Sequence, residues 1–235
     1  MVEHLLILAG GDGTRLKEVT GILSKPLISL GNARVITIVI KKLAKELKVN
    51  QIYLLVQKKH LDQYIEYIKS PEIQQYSIQL IVEETKLGTG GAIKNFLHSR
   101  ELDEFYVSNA DTIIKSRISD FINAKTNSIL CTNVAKNDRF GSIEINSECK
   151  IIKFNNNSND SGIVNLGVYK LNSEIFSKIN DDIFDMETVL FPYCAAHSLL
   201  NCFLIDVEFE DIGVPEAYYR ELRKETDKRK LDNDW

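Results

Sequence analysis

The run Leu5-Leu6-Ile7-Leu8-Ala9 passes directly into Gly10-Gly11-Asp12-Gly13-Thr14-Arg15-Leu16. Such an apolar run reads as a strand. The glycines after it let the backbone turn its N–H groups toward an anion, because a residue without a Cβ reaches conformations closed to others. Arg15 and, ten residues on, Lys25-Pro26 supply positive charge that a neutral loop lacks. A glycine cluster after a strand is also an ordinary tight turn; the two cations favour anion binding. The spacing excludes two other phosphate loops. A P-loop needs lysine and then Ser or Thr after its last glycine, and a dinucleotide-binding fingerprint needs glycine where Leu16 stands.

Beyond this loop, short apolar runs alternate with amphipathic stretches, the pattern of an α/β fold with a mixed, mostly parallel sheet flanked by helices. Ile36, Val39, Ile40, Leu43 and Leu47 recur at helical spacing, 51–56 reads as the second strand, and 60–69 as a helix ending near Ser70-Pro71. A strand over 78–82, a helix over 90–98 and a strand over 105–107 follow. The last of these delivers Asn109-Ala110-Asp111 to its carboxyl end, where open α/β sheets bind ligands. Strands over 128–134, 142–145, 149–154 and 163–171 predict an inserted β-rich layer that caps the sheet. A polar loop opens at Asn155-Asn156-Asn157 and runs to Gly162. Helices are expected over 185–197 and 215–225, around a strand over 199–207, with a charged, frayed ending over 223–235.

The 235 residues suffice for one α/β domain with a substantial core, and 44% hydrophobic and 26% charged residues are those of an ordinary globule. A formal net charge of −4 argues against a general nucleic-acid surface. No apolar stretch reaches the roughly 20 residues that span a bilayer. The amino end lacks the basic flank and cleavage site of a secretory signal, so the expected compartment is cytoplasmic. Cys131, Cys149, Cys194 and Cys202 show no CxxC spacing, and His4, His60, His98 and His197 form no HExxH pair. Reduced thiols and no transition-metal site are expected. Any phosphate must be bound locally, by loop amides, a few cations and a divalent metal.

Asp111 and Asp211 each follow an apolar strand, the second in Phe209-Glu210-Asp211-Ile212-Gly213-Val214-Pro215. Two carboxylates meeting at the carboxyl edge of a sheet would hold Mg²⁺, which takes one or two carboxylates together with phosphate oxygens and water. Taken singly, Asp111 fits a helix N-cap and Asp211 a turn.

With these motifs in order, the chain resembles, from residue 5 to about 222, the nucleotidyltransferases that join a nucleoside triphosphate to a sugar 1-phosphate. The glycine loop matches that family's triphosphate loop. Leu87-Gly88-Thr89-Gly90-Gly91-Ala92 is similar to its nucleoside-pocket loop, and Asn109-Ala110-Asp111 and the Asp211 string are similar to its two metal-ligand elements. Arg139-Phe140-Gly141 and Asn165-Leu166-Gly167-Val168-Tyr169 resemble the sugar-facing elements of small guanylyltransferases acting on D-glycero-α-D-manno-heptose 1-phosphate or mannose 1-phosphate.

The resemblance implies a Rossmann-like single domain over 1–235, with a nucleotide-binding half over 1–115, a sugar-binding half carrying the second metal ligand over 116–222, and the tail over 223–235. It implies nucleotide contacts from Leu8, Ala9, Gly10, Gly11, Asp12, Gly13, Thr14, Glu83, Gly88 and Thr89. Sugar contacts are implied for Asn109, Gly141, Asn165 and Gly167, and Mg²⁺ ligation for Asp111 and Asp211. The partners are then a nucleoside triphosphate and a sugar 1-phosphate, with no nucleic acid and no membrane, in an assembly compatible with a homodimer.

A sugar 1-phosphate oxygen is already anionic at neutral pH and attacks an α-phosphate without a general base. Neutralised charge and in-line placement are what it needs. Arg15 would take the β,γ-phosphates and Lys25 would lie between the acceptor phosphate and the α-phosphate. Glu83 stands where the family places a residue facing the base. A carboxylate only accepts, which favours the two adjacent donors of guanine, with cytosine next; Glu84 is a rival for the role. Two departures stand out. Asn155, Asn156 and Asn157 replace a usual Glu-Lys pair, which leaves an acceptor site that is weakened, rebuilt from elsewhere with Lys153 as one substitute cation, or suited to an unusual substrate, and Asn32-Ala33-Arg34 replaces Gly-Lys-Pro. The competing readings are a CTP-using enzyme for a non-sugar phosphate such as phosphocholine, and a catalytically idle, nucleotide-binding regulatory subunit.

Overall fold

Leu5, Leu6 and Ile7 are fully buried because their strand, β1 (His4–Leu8), has a parallel neighbour on each side within the sheet. The structure, a computed structural model, describes residues 2–135, 141–155 and 161–233. After β1 come α1 (Lys17–Thr20), a small hairpin of β2 (Ser29–Leu30) and β3 (Ala33–Arg34), α2 (Val35–Leu47) and β4 (Gln51–Gln57). Then follow α3 (Leu61–Ile68), β5 (Ser77–Glu83), α4 (Gly88–His98), β6 (Glu104–Asn109) and β7 (Thr112–Ile114). The second half contains β8 (Ser128–Val134), β9 (Ser142–Ile145), β10 (Ile151–Asn155), β11 (Gly162–Asn172), α5 (Phe191–Ala196), β12 (Asn201–Leu204), β13 (Phe209–Asp211) and α6 (Pro215–Asn233).

Among the described residues nine strands form one sheet in the order β10-β9-β11-β6-β1-β4-β5, with β8 on β11 and β12 on β8. The central strands β6, β1, β4 and β5 run parallel. From β1 the chain moves outward to β4 and β5, then returns through α4 to β6 on the other side of β1. That reversal opens a crevice at the carboxyl ends of β1 and β6, where the glycine loop and Asp111 begin.

Alternate strand residues face opposite layers. Leu5, Ile7, Leu54 and Val56 pack with Ile36, Val39, Ile40 and Leu43 of α2 and with Tyr64 and Tyr67 of α3. On the other face, Leu6, Leu55, Phe105 and Val107 pack with Ile93 and Phe96 of α4 and Phe191 and Cys194 of α5. The expected β-rich second half is joined edge to edge, because β11 pairs with β6 over 168–172, with β9 at 163–164, and with β8 over 162–165 and again at 169–170. A register shift between Asn165 and Tyr169, with Gly167 at a φ of 70°, lets one strand serve both halves. Arg34, in the unusual Asn32-Ala33-Arg34 stretch, pins the small hairpin to α3: its guanidinium is 2.8 Å from Glu72 and lies over the Tyr67 ring.

Three expectations are corrected. The helix anticipated over 185–197 begins as a π-type turn, Met186–Leu190, before α5, since Pro192 has no N–H to donate where a longer helix would need one. The strand anticipated over 199–207 is limited to Asn201–Leu204, after which the chain leaves β8 and reaches β13. The frayed ending is instead the continuation of α6 to Asn233, in a stretch rich in Arg, Lys and Glu and without Gly or Pro. No helix among the described residues is long and apolar enough to cross a membrane.

The start of α4 packs so closely on the segment before α5 that a Cβ on Gly90 would lie 2.1 Å from the Phe184 ring. Gly90→Ala should therefore destabilise the fold by about 1–3 kcal/mol, the usual cost of overpacking. Gly11→Ala, whose Cβ would have nothing within 4 Å, should melt with the parent. Chemical denaturation of the two variants checks this, and a Gly90→Ala protein as stable as the parent contradicts the packing.

Candidate active site

The glycine loop leaves the sheet late. Ala9 N–H still donates to Leu55 C=O at 2.9 Å, and the chain turns only beyond it. Gly13 has a φ of 60°, and a Cβ there would come within 2.9 Å of Lys25 Cβ, so both conformation and space call for glycine. Leu16 is buried under the loop and Arg15 is turned outward. The segment leading to Lys25 is anchored from beneath. Ser24 N–H donates to Gln63 Oε1 at 2.8 Å, and the buried Ser24 and Tyr64 hydroxyls are 2.9 Å apart. Tyr64 in turn donates to Ala9 C=O at 3.3 Å, and burial drives its phenol pKa far up. Lys25, held at this point, forms an ion pair with Asp111 Oδ2.

Asp111 and Asp211 are brought together by backbone. β13 runs antiparallel to β7, Asp211 faces Thr112 across the ladder, and Ile212 N–H donates to Asp111 C=O at 3.0 Å. Both carboxylates border one cavity of about 370 Å³. The pair fits a Mg²⁺ site by donor chemistry, two hard carboxylates beside space for phosphate oxygens. Among the described residues no cluster of three or more His, Cys, Asp or Glu forms a complete metal cage, so the other ligands would be substrate and water.

That cavity also has Arg15, Asn109, Gly141, Asn165, Gly167 and Glu187 on its wall. It therefore unites all four residues assigned to the sugar with both aspartates and one of the two assigned catalytic cations. A second cavity, of about 340 Å³, is bordered by Leu8, Gly10, Gly11, Glu83, Gly88 and Thr89 from the nucleotide assignment. Asn109 and Asp111 belong to both walls, so the two cavities meet at the end of β6. Ala9, Asp12, Gly13 and Thr14 are not on the second wall. Ala9 has both backbone groups engaged, and Asp12 points to lysines at the rim. Arg139, Phe140, Asn156 and Asn157 lie outside the described residues.

Glu83 is 7% exposed, beside Gly10 and within reach of a hydrogen bond from the Leu87 backbone. Burial raises its pKa. Its rival Glu84 is turned to the surface, paired with Lys58 at 2.6 Å. Lys153 is not on the wall of the first cavity; it lies 3.6 Å from Glu144, and Asn155, which is on that wall, donates to the same carboxylate at 2.7 Å.

Several site residues escaped the sequence reading. Glu187, on the π-type turn, accepts from Asn165 Nδ2 at 3.1 Å, and Asn165 also donates to the buried Tyr169 hydroxyl at 2.9 Å. Enclosure raises the Glu187 pKa, and the negative charges of Asp185, Asp111 and Asp211 add to the rise. Asp185 caps α4 by accepting from Thr89 N–H at 2.9 Å. Lys59 and Lys86 both grip Asp12, whose pKa falls to about 2 because of those two hydrogen bonds. Pro192, five residues on, was the one sequence signal available for Glu187, marking a break in the expected helix; ordinary surface-like lysines give none.

The family model described as nucleotidyl transferase matches residues 4–228. The chain belongs to that family. It is 30% identical over 92% of its length to the D-glycero-alpha-D-manno-heptose 1-phosphate guanylyltransferase of Campylobacter jejuni, and covers 97% of that protein. It is 34% identical over 73% of its length to the bifunctional protein GlmU of Methanococcus maripaludis, of which it spans 40%. Among solved structures, HddC from Yersinia pseudotuberculosis complexed with GMP-PN superposes with a TM-score of 0.82 at 29% identity, over 95% of this chain and 99% of that one.

The raised Glu187 pKa has a signed consequence. Between the ordinary carboxylate value of 4.5 and its higher native value, the folded protein holds more protons than the unfolded chain, so this group's contribution falls as pH rises. Relative to Glu187→Gln, the parent should lose stability as pH increases from about 4.5 toward neutrality. Thermal melts of both proteins across that window check it; parallel curves would contradict the enclosed carboxylate.

Proposed function

We propose that this chain transfers a guanylyl group from GTP to a heptose or mannose 1-phosphate, releasing pyrophosphate and forming an activated sugar for surface glycans. The carrying observation is that Asn109 and Asp111 border two cavities at once. One has the glycine loop and Glu83 on its wall, and the other has Asn165, Gly167 and Glu187. A triphosphate in the first and a phosphorylated sugar in the second would meet at Asp111.

In the reaction, an anionic oxygen of the acceptor phosphate forms a bond to the α-phosphorus while the bond to the oxygen leading to the β-phosphorus breaks. Pyrophosphate departs with that electron pair. No proton is moved, so the residues act by charge and placement. Lys25, held through Ser24 and Tyr64, would exchange its contact with Asp111 for oxygens of the reacting phosphates. Arg15, on the wall of the cavity it shares with Asp111 and Asp211, would compensate charge on the departing pyrophosphate. Asp111 and Asp211 would hold Mg²⁺, which neutralises phosphate charge when bound. Asn109 offers a neutral donor that suits a sugar hydroxyl, while Asn165, whose two amide hydrogens go to Tyr169 and Glu187, would fix the Glu187 carboxylate on that wall. Glu83 accepts from guanine, which presents two adjacent donors, and repels the carbonyl oxygens of uracil or thymine.

The test is pyrophosphate release over a matrix of four nucleoside triphosphates with heptose, mannose and glucose 1-phosphates and phosphocholine. GTP with a heptose or mannose 1-phosphate should turn over fastest, with CTP and phosphocholine as the combination that would replace this reading. Asp111→Asn and Asp211→Asn should stay folded and lose most activity. Glu83→Gln should narrow the preference for GTP over UTP by about 1–3 kcal/mol, the scale of one buried polar mismatch. Equal use of all four triphosphates by the parent would overturn the guanine assignment.

A further inference from the structure

Asp12 occupies an unfavourable place. It lies within the glycine loop, beside the path a triphosphate would take, where a bare carboxylate repels phosphate. Its two oxygens are each taken by one ammonium: Lys59 on Oδ1, and Lys86 on Oδ2 at 2.8 Å. The three residues come from the carboxyl ends of three adjacent parallel strands, Asp12 after β1, Lys59 after β4 and Lys86 after β5. Lys86 is also on the wall of the nucleotide cavity, with Asp185 facing it from the α4 side.

We infer that Lys59 and Lys86 are triphosphate-binding residues which Asp12 holds in the ligand-free protein, so that an entering triphosphate takes over ammonium groups from a resident carboxylate. This rests on the nucleotide reading above and deepens it.

The exchange is favoured by number and by exposure. The side chains are 51% exposed for Lys59 and 67% for Lys86, and ion pairs so open to water are held weakly. A polyphosphate presents several charges and many acceptor oxygens against the one charge of Asp12. Asp12 stays ionised throughout the neutral range, so the competition depends on salt and ligand rather than on pH.

Equilibrium binding of inorganic tripolyphosphate tests this without involving the base or the acceptor. Lys86→Met should bind about tenfold more weakly than the parent, and the Lys59→Met/Lys86→Met double variant more weakly still, with a shallower salt dependence. Asp12→Asn should bind about threefold more tightly, because the competing carboxylate is gone. Lysine variants that bind like the parent would overturn the proposal. So would weaker binding by Asp12→Asn, which would make the aspartate a support for the lysines. Failure of the parent to bind tripolyphosphate or any nucleoside triphosphate would instead remove the nucleotide reading beneath it. All three residues are exposed, and melting temperatures near the parent's would confirm folded variants.

Discussion

The short antiparallel pairing of β7 with β13 is the constraint on which the rest of the site depends. It spans three register pairs, Phe209 with Ile114, Glu210 with Ile113 and Asp211 with Thr112, and it is separate from the main sheet. Without it, residues a hundred positions apart would have no reason to share a wall. The ladder is secured on both sides. Ile113 and Ile212 are buried with Leu16 and Val35 in a small apolar cluster under the glycine loop, and Tyr218 of α6 donates to Ser29 C=O at 3.0 Å. Apolar burial of this kind contributes about 25 cal/mol per Å² and holds geometry that two like charges would otherwise push apart. The Lys25 ammonium on Asp111 offsets part of that repulsion.

A second link joins the two cavities. The segment before α5 touches α4 at one end and the acceptor wall at the other. Phe184 C=O accepts from Gly90 and Gly91 N–H, Phe184 N–H donates to Leu87 C=O at 2.9 Å, and Asp185 caps Thr89. Glu187, two residues beyond Asp185, faces the acceptor cavity. Gly88, Gly90 and Gly91 are glycines for this contact as much as for any nucleotide, since a Cβ on each would lie within 2.5 Å of Phe184 or Asp182 atoms. Loop and wall are therefore joined by backbone hydrogen bonds and close packing. Asn109 and Asn165 are fixed from the same junction, with Gly167 packed against Asn109 and its N–H donating to Asn165 Oδ1 at 2.8 Å.

Much of this was legible in the chain. The unbroken apolar run of β1 marked a strand buried on both faces, and the 3.6-residue recurrence through Ile36 and Leu47 marked α2, because long periodic segments carry the clearest signal. The glycine loop, Asp111 and Asp211 stood out through residue type at strand ends. What escaped was short or set by distant contacts. β7 has three residues, too few for periodicity, so the reason that the aspartates meet was invisible even though the pair was recognised. The π-type turn and Glu187 depend on where Pro192 falls relative to the Thr89 cap. Lys59 and Lys86 look like any solvated lysines until three strand ends are aligned. α6 was cut short because charge density was read as fraying, whereas Lys, Arg and Glu are good helix formers.

The central claim is that Asp111 and Asp211 act as halves of one cation site at the junction of the two cavities. Calorimetric titration of Mg²⁺ into the protein saturated with GTP, for the parent, each Asp→Asn variant and the double variant, measures it most directly. Residues that act as a unit are not additive. Either single change should abolish the GTP-dependent Mg²⁺ binding, and the double should be no worse. Retention of that binding at near-parent affinity by one single variant, or two partial losses that simply add, would contradict a shared site.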